Sequence, residues 1–146
     1  MRWVAILAVV AALTACGSSG PRSPEAVARA WSAALNRADN ESAASLFAPS
    51  AEVVQDGGLV LRTHAAAVAW NAALPCGGTV IRVVHEQTTD QVLLVFRLKD
   101  RPGHRCDAPG QDAAAVFQVE HGKIVLWHQT PPPGAALTTP DDGSPV

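Results

Sequence analysis

Residues Ala113–Thr130 read AAAVFQVEHGKIVLWHQT, and this stretch decides the fold. Two apolar, β-prone runs, Ala113–Glu120 and Lys123–Thr130, flank His121-Gly122. Val, Phe, Ile and Trp suit a half-buried pleated surface, and Gly122 supplies the positive φ that a tight hairpin turn requires. The stretch is expected to be two long strands folded back on each other. A two-stranded ribbon does not stand alone in water, so the remaining segments are read as what extends and covers it.

Upstream lies a second pair of runs, Thr79–Gln87 and Gln91–Lys99, joined by a turn at Thr88–Asp90. They are expected to pair antiparallel, which brings their outer ends, near residues 78 and 100, side by side. Two shorter strands, Ala51–Asp56 and Leu59–Arg62, surround Asp56-Gly57-Gly58, a strong hairpin signal. Three helices precede or interrupt this series. Ser23-Pro24-Glu25 places an N-cap, a first-turn proline and an acid ahead of Val27, Ala30, Trp31, Ala34, Leu35 and Ala38 at helical spacing. Asp39 caps a shorter helix with Ala43, Leu46 and Phe47 inward, ended by Pro49, and Thr63 caps a third, His64–Leu74, stopped by Pro75. The order is α-α-β-β-α-β-β-β-β, an α+β domain with a curved antiparallel sheet and helices on one face.

At 146 residues and 48% apolar composition, the chain has room for one well-cored domain plus ends. Net charge is −2, and there is no tyrosine. The densest basic segment, Arg97, Lys99, Arg101 and Arg105, is interrupted by Asp100 and followed by Asp107. It reads as a solvated loop, and nucleic acid is not an expected partner. His64, His85, His104, His121 and His128 are scattered without ligand spacing, so neither a metal nor another cofactor is expected.

The N-terminus carries an address. Arg2 and the apolar Trp3–Leu13 form a signal-like segment too short to span a bilayer. Leu13-Thr14-Ala15-Cys16, followed by Gly17-Ser18-Ser19-Gly20, resembles the bacterial lipobox, in which cleavage leaves the cysteine as a lipid-modified first residue. That resemblance implies a signal peptide over 1–15, a lipid on Cys16 and a tether over 16–22; the elements above span a domain over 23–130, and the aperiodic 131–146 reads as a disordered tail. The lipobox resemblance also implies an extracytoplasmic location at the cell membrane. In that oxidising compartment the remaining even pair, Cys76 and Cys106, is expected to form a disulfide, clipping the loop over 100–111 to the end of the third helix.

From Ser23 to Thr130 the layout resembles the cone-shaped fold of nuclear transport factor two, ketosteroid isomerase and the SnoaL-type polyketide cyclases. Ala43-Ala44-Ser45-Leu46-Phe47-Ala48-Pro49-Ser50-Ala51-Glu52-Val53 is similar to a phrase common in such domains, and Val116–Ile124 resembles their last hairpin. Ile124-Val125-Leu126-Trp127-His128-Gln129 most resembles the limonene epoxide hydrolase branch. The resemblance implies a pocket between helices and sheet, lined by Val54, Asp56, Trp70, Arg97, Phe117, Trp127 and Gln129. It also implies where catalytic groups would fall, and there the chain departs. The last-strand aspartate is Gln129, the Arg-x-Asp pair is Arg97-Leu98-Lys99, and the Tyr-x-Asn pair is Val54-Gln55-Asp56. Water activation and epoxide protonation both need a carboxyl group that neither Gln129 nor Lys99 supplies.

Two functions follow as expectations. The first is a lipid-anchored binding or accessory domain that holds a small apolar ligand or an envelope protein, without catalysis. The alternative is an isomerase, cyclase or hydrolase with a rearranged site on Asp56, Arg97 and Gln129. Trp31, Trp70, Trp127 and Phe117 would exclude both small-molecule readings if they filled the cone. In Gln91–Lys99, Val92, Leu94, Phe96 and Leu98 form one apolar row and Leu93 and Val95 begin another, so both faces are covered. With Arg97 looking into the cone, the even row would lie on the convex face and carry a homodimer.

Overall fold

A computed structural model describes residues 22–86 and 90–135. Its sheet grows from the hairpin of β5 (Asp112–Glu120) and β6 (Lys123–Thr130), whose turn residues His121 and Gly122 take φ of 50° and 74°. Two successive positive φ values give a turn whose twist matches the flanking strands. β4 (Gln91–Lys99) pairs antiparallel with β5, and β3 (Gly77–His85) with β4. On the other side β1 (Phe47–Val54) runs parallel to β6 and antiparallel to β2 (Gly58–Leu61). The six-stranded order is β2-β1-β6-β5-β4-β3. The sheet is thus antiparallel except at its β1–β6 seam. The chain leaves the β1–β2 hairpin through a helix and resumes at the far edge, so β6 returns beside β1 in the same direction.

Helix α1 (Pro24–Asn36) starts as its sequence dictates, with Ser23 Oγ accepting from Ala26 N at 3.2 Å. Asp39 caps α2 (Asn40–Ala44) through Ser42 N, and the side chain of Ser42 together with that N–H holds its carboxyl below the ordinary value. Thr63 caps α3 (His64–Ala73) through Ala66 N. α2 stops short of the expected Pro49 boundary. Leu46 O accepts from Ile124 N, and Phe47 already pairs with Ile124 as the first residue of β1. Pro49 falls where the β1–β6 register shifts, next to Ser50 at φ 62°, so its missing N–H costs no ladder bond.

The core fills the concave side. Val92, Leu94 and Phe96 of β4, Phe117 of β5 and Trp127 of β6 are buried in one cluster with Val27, Trp31 and Leu35 of α1. This reverses the expected orientation of β4: the even row is the core row, and Leu93, Val95, Arg97 and Lys99 occupy the convex face. Alternation alone cannot orient a strand that is apolar at both parities from 92 to 95. The turn expected at Thr88–Asp90 falls largely outside the described residues, as do positions 1–21 and 136–146. Of the expected tail, Pro131–Ala135 is described, and Pro133 O accepts a bond from Arg82.

One polar group joins the layers. Arg101, expected in a solvated loop, is only 4% exposed. Its guanidinium donates to Leu35 O at the end of α1, to Asn71 O and Ala72 O at the end of α3, and to Asn40 Oδ1. Burial lowers its pKa, yet the cation stands where two helix ends present carbonyl oxygens and negative partial charge. Arg101→Ala should therefore lower unfolding free energy by about 3 kcal/mol, since several buried carbonyls lose their donor at once. Arg101→Lys, with no planar fork, should lose a large part of the same amount. Urea denaturation of both variants measures this, and a loss below about 1 kcal/mol for the alanine would exclude the role.

Candidate functional site

Between α1 and the sheet lies a cavity of about 390 Å³. Its deep surface is apolar: Trp31 and Leu35 of α1, Phe96 of β4, Ala115 of β5 and Trp127 of β6 all line it and are buried. Its rim is polar and exposed, with Gln55 and Asp56 from the β1–β2 turn, Asp107 and Gln111 from the β4–β5 loop, and Gln129 from β6. Ser32 is the one hydroxyl among the lining residues and is 5% exposed, deep beside Trp31. Among the described residues no Lys, Arg or His lines the cavity.

Close backbone packing shapes one wall. Asn36 donates to Gly78 O at 2.8 Å and accepts from Gly78 N at 2.9 Å, so a side-chain amide continues the ladder at the start of β3. A Cβ on Gly78 would meet Phe96 Cβ at 2.9 Å, and one on Gly77 would collide with Asn36 Oδ1. Glycine is needed at both positions for α1 to approach the sheet.

The disulfide between Cys76 and Cys106 forms the neighbouring rim. Cys76 precedes β3, and Cys106 lies in the loop after β4, whose ends do lie side by side through the Gly77–Lys99 pair. Cys106 N also donates to Asp100 Oδ1 at 2.8 Å, fixing the loop. Cys76, Cys106 and Asp107 bring potential metal-ligand atoms together, but the bonded sulfurs are not thiolates and offer no such site.

The residues expected to form a site part company. Asp56, Trp127 and Gln129 line the cavity. Trp70 and Phe117 pack behind it, in the aromatic cluster around Trp31. Val54 pairs with His128 and Arg97 with Asp112, and both lie on the convex face. Arg97 bonds the Asp112 carboxylate, which raises its pKa and occupies it there. The trio Asp56, Arg97 and Gln129 is thus split by the sheet. Asp56 is an exposed turn residue at φ 51°. Sequence reasoning missed Ser32, although it stands four after Ala28 and three before Leu35 on the apolar stripe of α1, and Asp107, which the loop after β4 brings to the rim.

The SnoaL-like domain family matches residues 28–127. Solved structures share the frame at low identity. An NTF2-like protein of unknown function from Cytophaga hutchinsonii is 12% identical, with 77% of this chain and 92% of that one aligned at a TM-score of 0.61. A candidate polyketide cyclase from Sinorhizobium meliloti is 16% identical, with 71% and 93% aligned at 0.59. A candidate ketosteroid isomerase from Kribbella flavida is 18% identical, with 80% and 87% aligned at 0.57. No curated protein is significantly similar to the chain.

Because the disulfide ties the cavity rim to the sheet across a sequence separation of 30, its loss should be felt in stability. Replacing both cysteines with serine should lower unfolding free energy by about 2–4 kcal/mol. Denaturant melts of the double variant, and of the parent under reductant, should agree; an unchanged midpoint in both would remove the clip from the account.

Proposed function

The chain belongs to the SnoaL-like domain family, and from that premise we propose that it is a lipid-anchored extracytoplasmic binding domain whose cone holds a small apolar ligand, without catalysis. The observation that carries this reading is the composition of the cavity. Buried aromatic and aliphatic surface forms its depth, and Asp56 and Asp107 are the only ionisable side chains that line it among the described residues. Such a site favours a ligand with an apolar body that is neutral or cationic, because an anion would leave water to face two carboxylates with no cation beside it. Ser32 is placed to meet one polar group of that ligand. Both carboxylates sit at the exposed rim, away from the depth where a substrate would be desolvated, and this supports binding over proton transfer.

The anchor rests on Leu13-Thr14-Ala15-Cys16 and the tether that follows. An envelope protein as partner belongs to the same reading, with the domain displayed at the membrane surface. The catalytic alternative, an isomerase or cyclase, draws on the names of the structural neighbours and on the shared placement of Asp56 and Gln129 at one cavity.

Two measurements test the proposal. The neutral fluorophore N-phenylnaphthylamine should bind, and anilinonaphthalene sulfonate should bind at least about tenfold more weakly, a difference of about 1.4 kcal/mol. Ser32→Val should weaken displacement of the probe by ligands carrying a hydroxyl or carbonyl, and Asp56→Asn should leave probe binding intact. Equal affinity for the sulfonate would overturn the charge argument, and substrate turnover abolished by Asp56→Asn would establish the alternative. Separately, Cys16→Ser should move the protein from the membrane pellet to the soluble fraction; retention in the pellet would sink the anchor.

A further inference from the structure

Charge is unevenly distributed along the cavity. Asp56 reaches the rim from the β1–β2 turn and Asp107 from the β4–β5 loop, so two separate segments bring a carboxylate to one opening. Both side chains are fixed locally. Asp56 stands at φ 51° in a turn closed by the bond from Gln55 N to Gly57 O at 3.0 Å. Asp107 follows the bridged Cys106, and its Oδ1 lies 3.2 Å from Cys76 Sγ. Among the described residues neither carboxylate has an ion-pair partner. Gln55, Gln111 and Gln129 add three carboxamide oxygens to the same rim.

The depth carries no charge and one polar group. Ser32 is 5% exposed, lines the cavity beside Trp31, and its hydroxyl bonds to no other described residue. A buried hydroxyl without a partner is costly, and an oxygen of a bound ligand removes that cost. At about 30 Å³ per water-sized group, a cavity of about 390 Å³ holds roughly a dozen heavy atoms. That accommodates one alkyl chain or a compact ring system, and excludes the paired acyl chains of a membrane lipid. A cation drawn into this depth would lose its hydration against Trp31, Phe96 and Trp127 with no charged partner there. At the rim it keeps its water and gains two carboxylates. An ammonium has three donors and no acceptor, which suits a rim of carboxylate and carboxamide oxygens.

Resting on the binding reading above, we propose that the ligand is a single-chain amphiphilic amine, held as its ammonium ion. Its head lies at the rim beside Asp56 and Asp107, and its apolar body lies against Trp31 and Trp127. An aliphatic amine stays protonated at neutral pH, as the lysine side chain does with its ordinary value of about 10.4. Because the head remains wet, its two carboxylates contribute selectivity more than affinity, and the buried body supplies most of the binding.

The test is displacement of N-phenylnaphthylamine from the full chain carrying Cys16→Ser, so that no lipid or detergent competes for the ligand. Dodecylamine should displace the probe about tenfold more tightly than dodecanol. Along a series of alkylamines, affinity should rise about fourfold per methylene and level off near roughly twelve carbons. In Asp56→Asn/Asp107→Asn the preference for amine over alcohol should fall to about twofold or less. In Glu41→Gln/Glu120→Gln, an equal change of net charge away from the cavity, the preference should persist. Circular dichroism checks folding; if the double aspartate variant is unfolded, Asp107→Asn alone decides, with an expected loss of about threefold in the preference. If neither dodecylamine nor dodecanol displaces the probe, the binding reading falls and the ammonium head with it. Displacement by dodecanol as tight as by dodecylamine leaves the binding reading standing and overturns the head. A preference that survives loss of both aspartates, one lost equally in the glutamate variant, or an amine series without a plateau would overturn it as well.

Discussion

Trp31 sets the terms for the rest of the molecule. Its ring lies 5.3 Å from Phe117, 6.0 Å from Trp127 and 6.4 Å from both Trp70 and Phe96. Its Nε1 donates to Asn71 Oδ1 at 2.8 Å, and Asn71 is fully buried. One side chain on α1 therefore contacts three strands through its rings and α3 through a hydrogen bond. Phe47 joins through Trp70, so six of the seven aromatic residues of the chain form one cluster. Aromatic pairs in such geometries contribute about 0.5–1.5 kcal/mol each beyond their area, and Trp31, Phe96 and Trp127 of the cluster also line the cavity. The cavity is what remains between this plug and the rim.

Polar seams complete what the aromatic plug begins. Asn36 reads the backbone of Gly78, and Arg101 gathers the carbonyl ends of α1 and α3. Both tie together distant parts of the chain, and the terminal nitrogens of Arg101 find carbonyl partners in a buried position, the condition under which such groups stabilise. Close approach of α1 to the sheet at Gly77 and Gly78 depends on the first of these seams. With Gly77 and Gly78 there is no side chain to hold α1 off β3, whereas the rim facing solvent carries Gln55, Asp56 and Gln129.

Local physics made much of this legible in advance. Each helix start rests on a cap visible in the sequence, Ser23, Asp39 and Thr63, and the β5–β6 hairpin on Gly122. The Cys76–Cys106 bond was expected of an even cysteine pair in an oxidising compartment, and antiparallel pairing of the two runs brings their cysteine-bearing ends together. What stayed hidden depends on contacts between distant segments. β4 is apolar at both parities, so its orientation had to come from the packing of Phe96 against Trp31. Arg101 looks like its solvated neighbours until two helix ends converge on it. Pro49 marks a helix boundary in isolation, yet Phe47 is claimed by Ile124, 77 residues on. The site was half readable for the same reason: Asp56 and Gln129 were placed by family likeness, and Arg97 was lost with the parity of its strand.

That parity has a chemical consequence. A guanidinium facing into the cone would have offered an anchor for anions or enolates and an electrostatic partner for a carboxylate base. Placed on the convex side and bound to Asp112, it leaves the cavity with acids alone, and these lie where water reaches them. Asp56 itself lies in an exposed turn at the rim of the cavity. The two faces of one sheet therefore divide by chemistry: the concave side offers desolvated aromatic surface with an acidic rim, and the convex side offers apolar rows beside the Arg97–Asp112 ion pair.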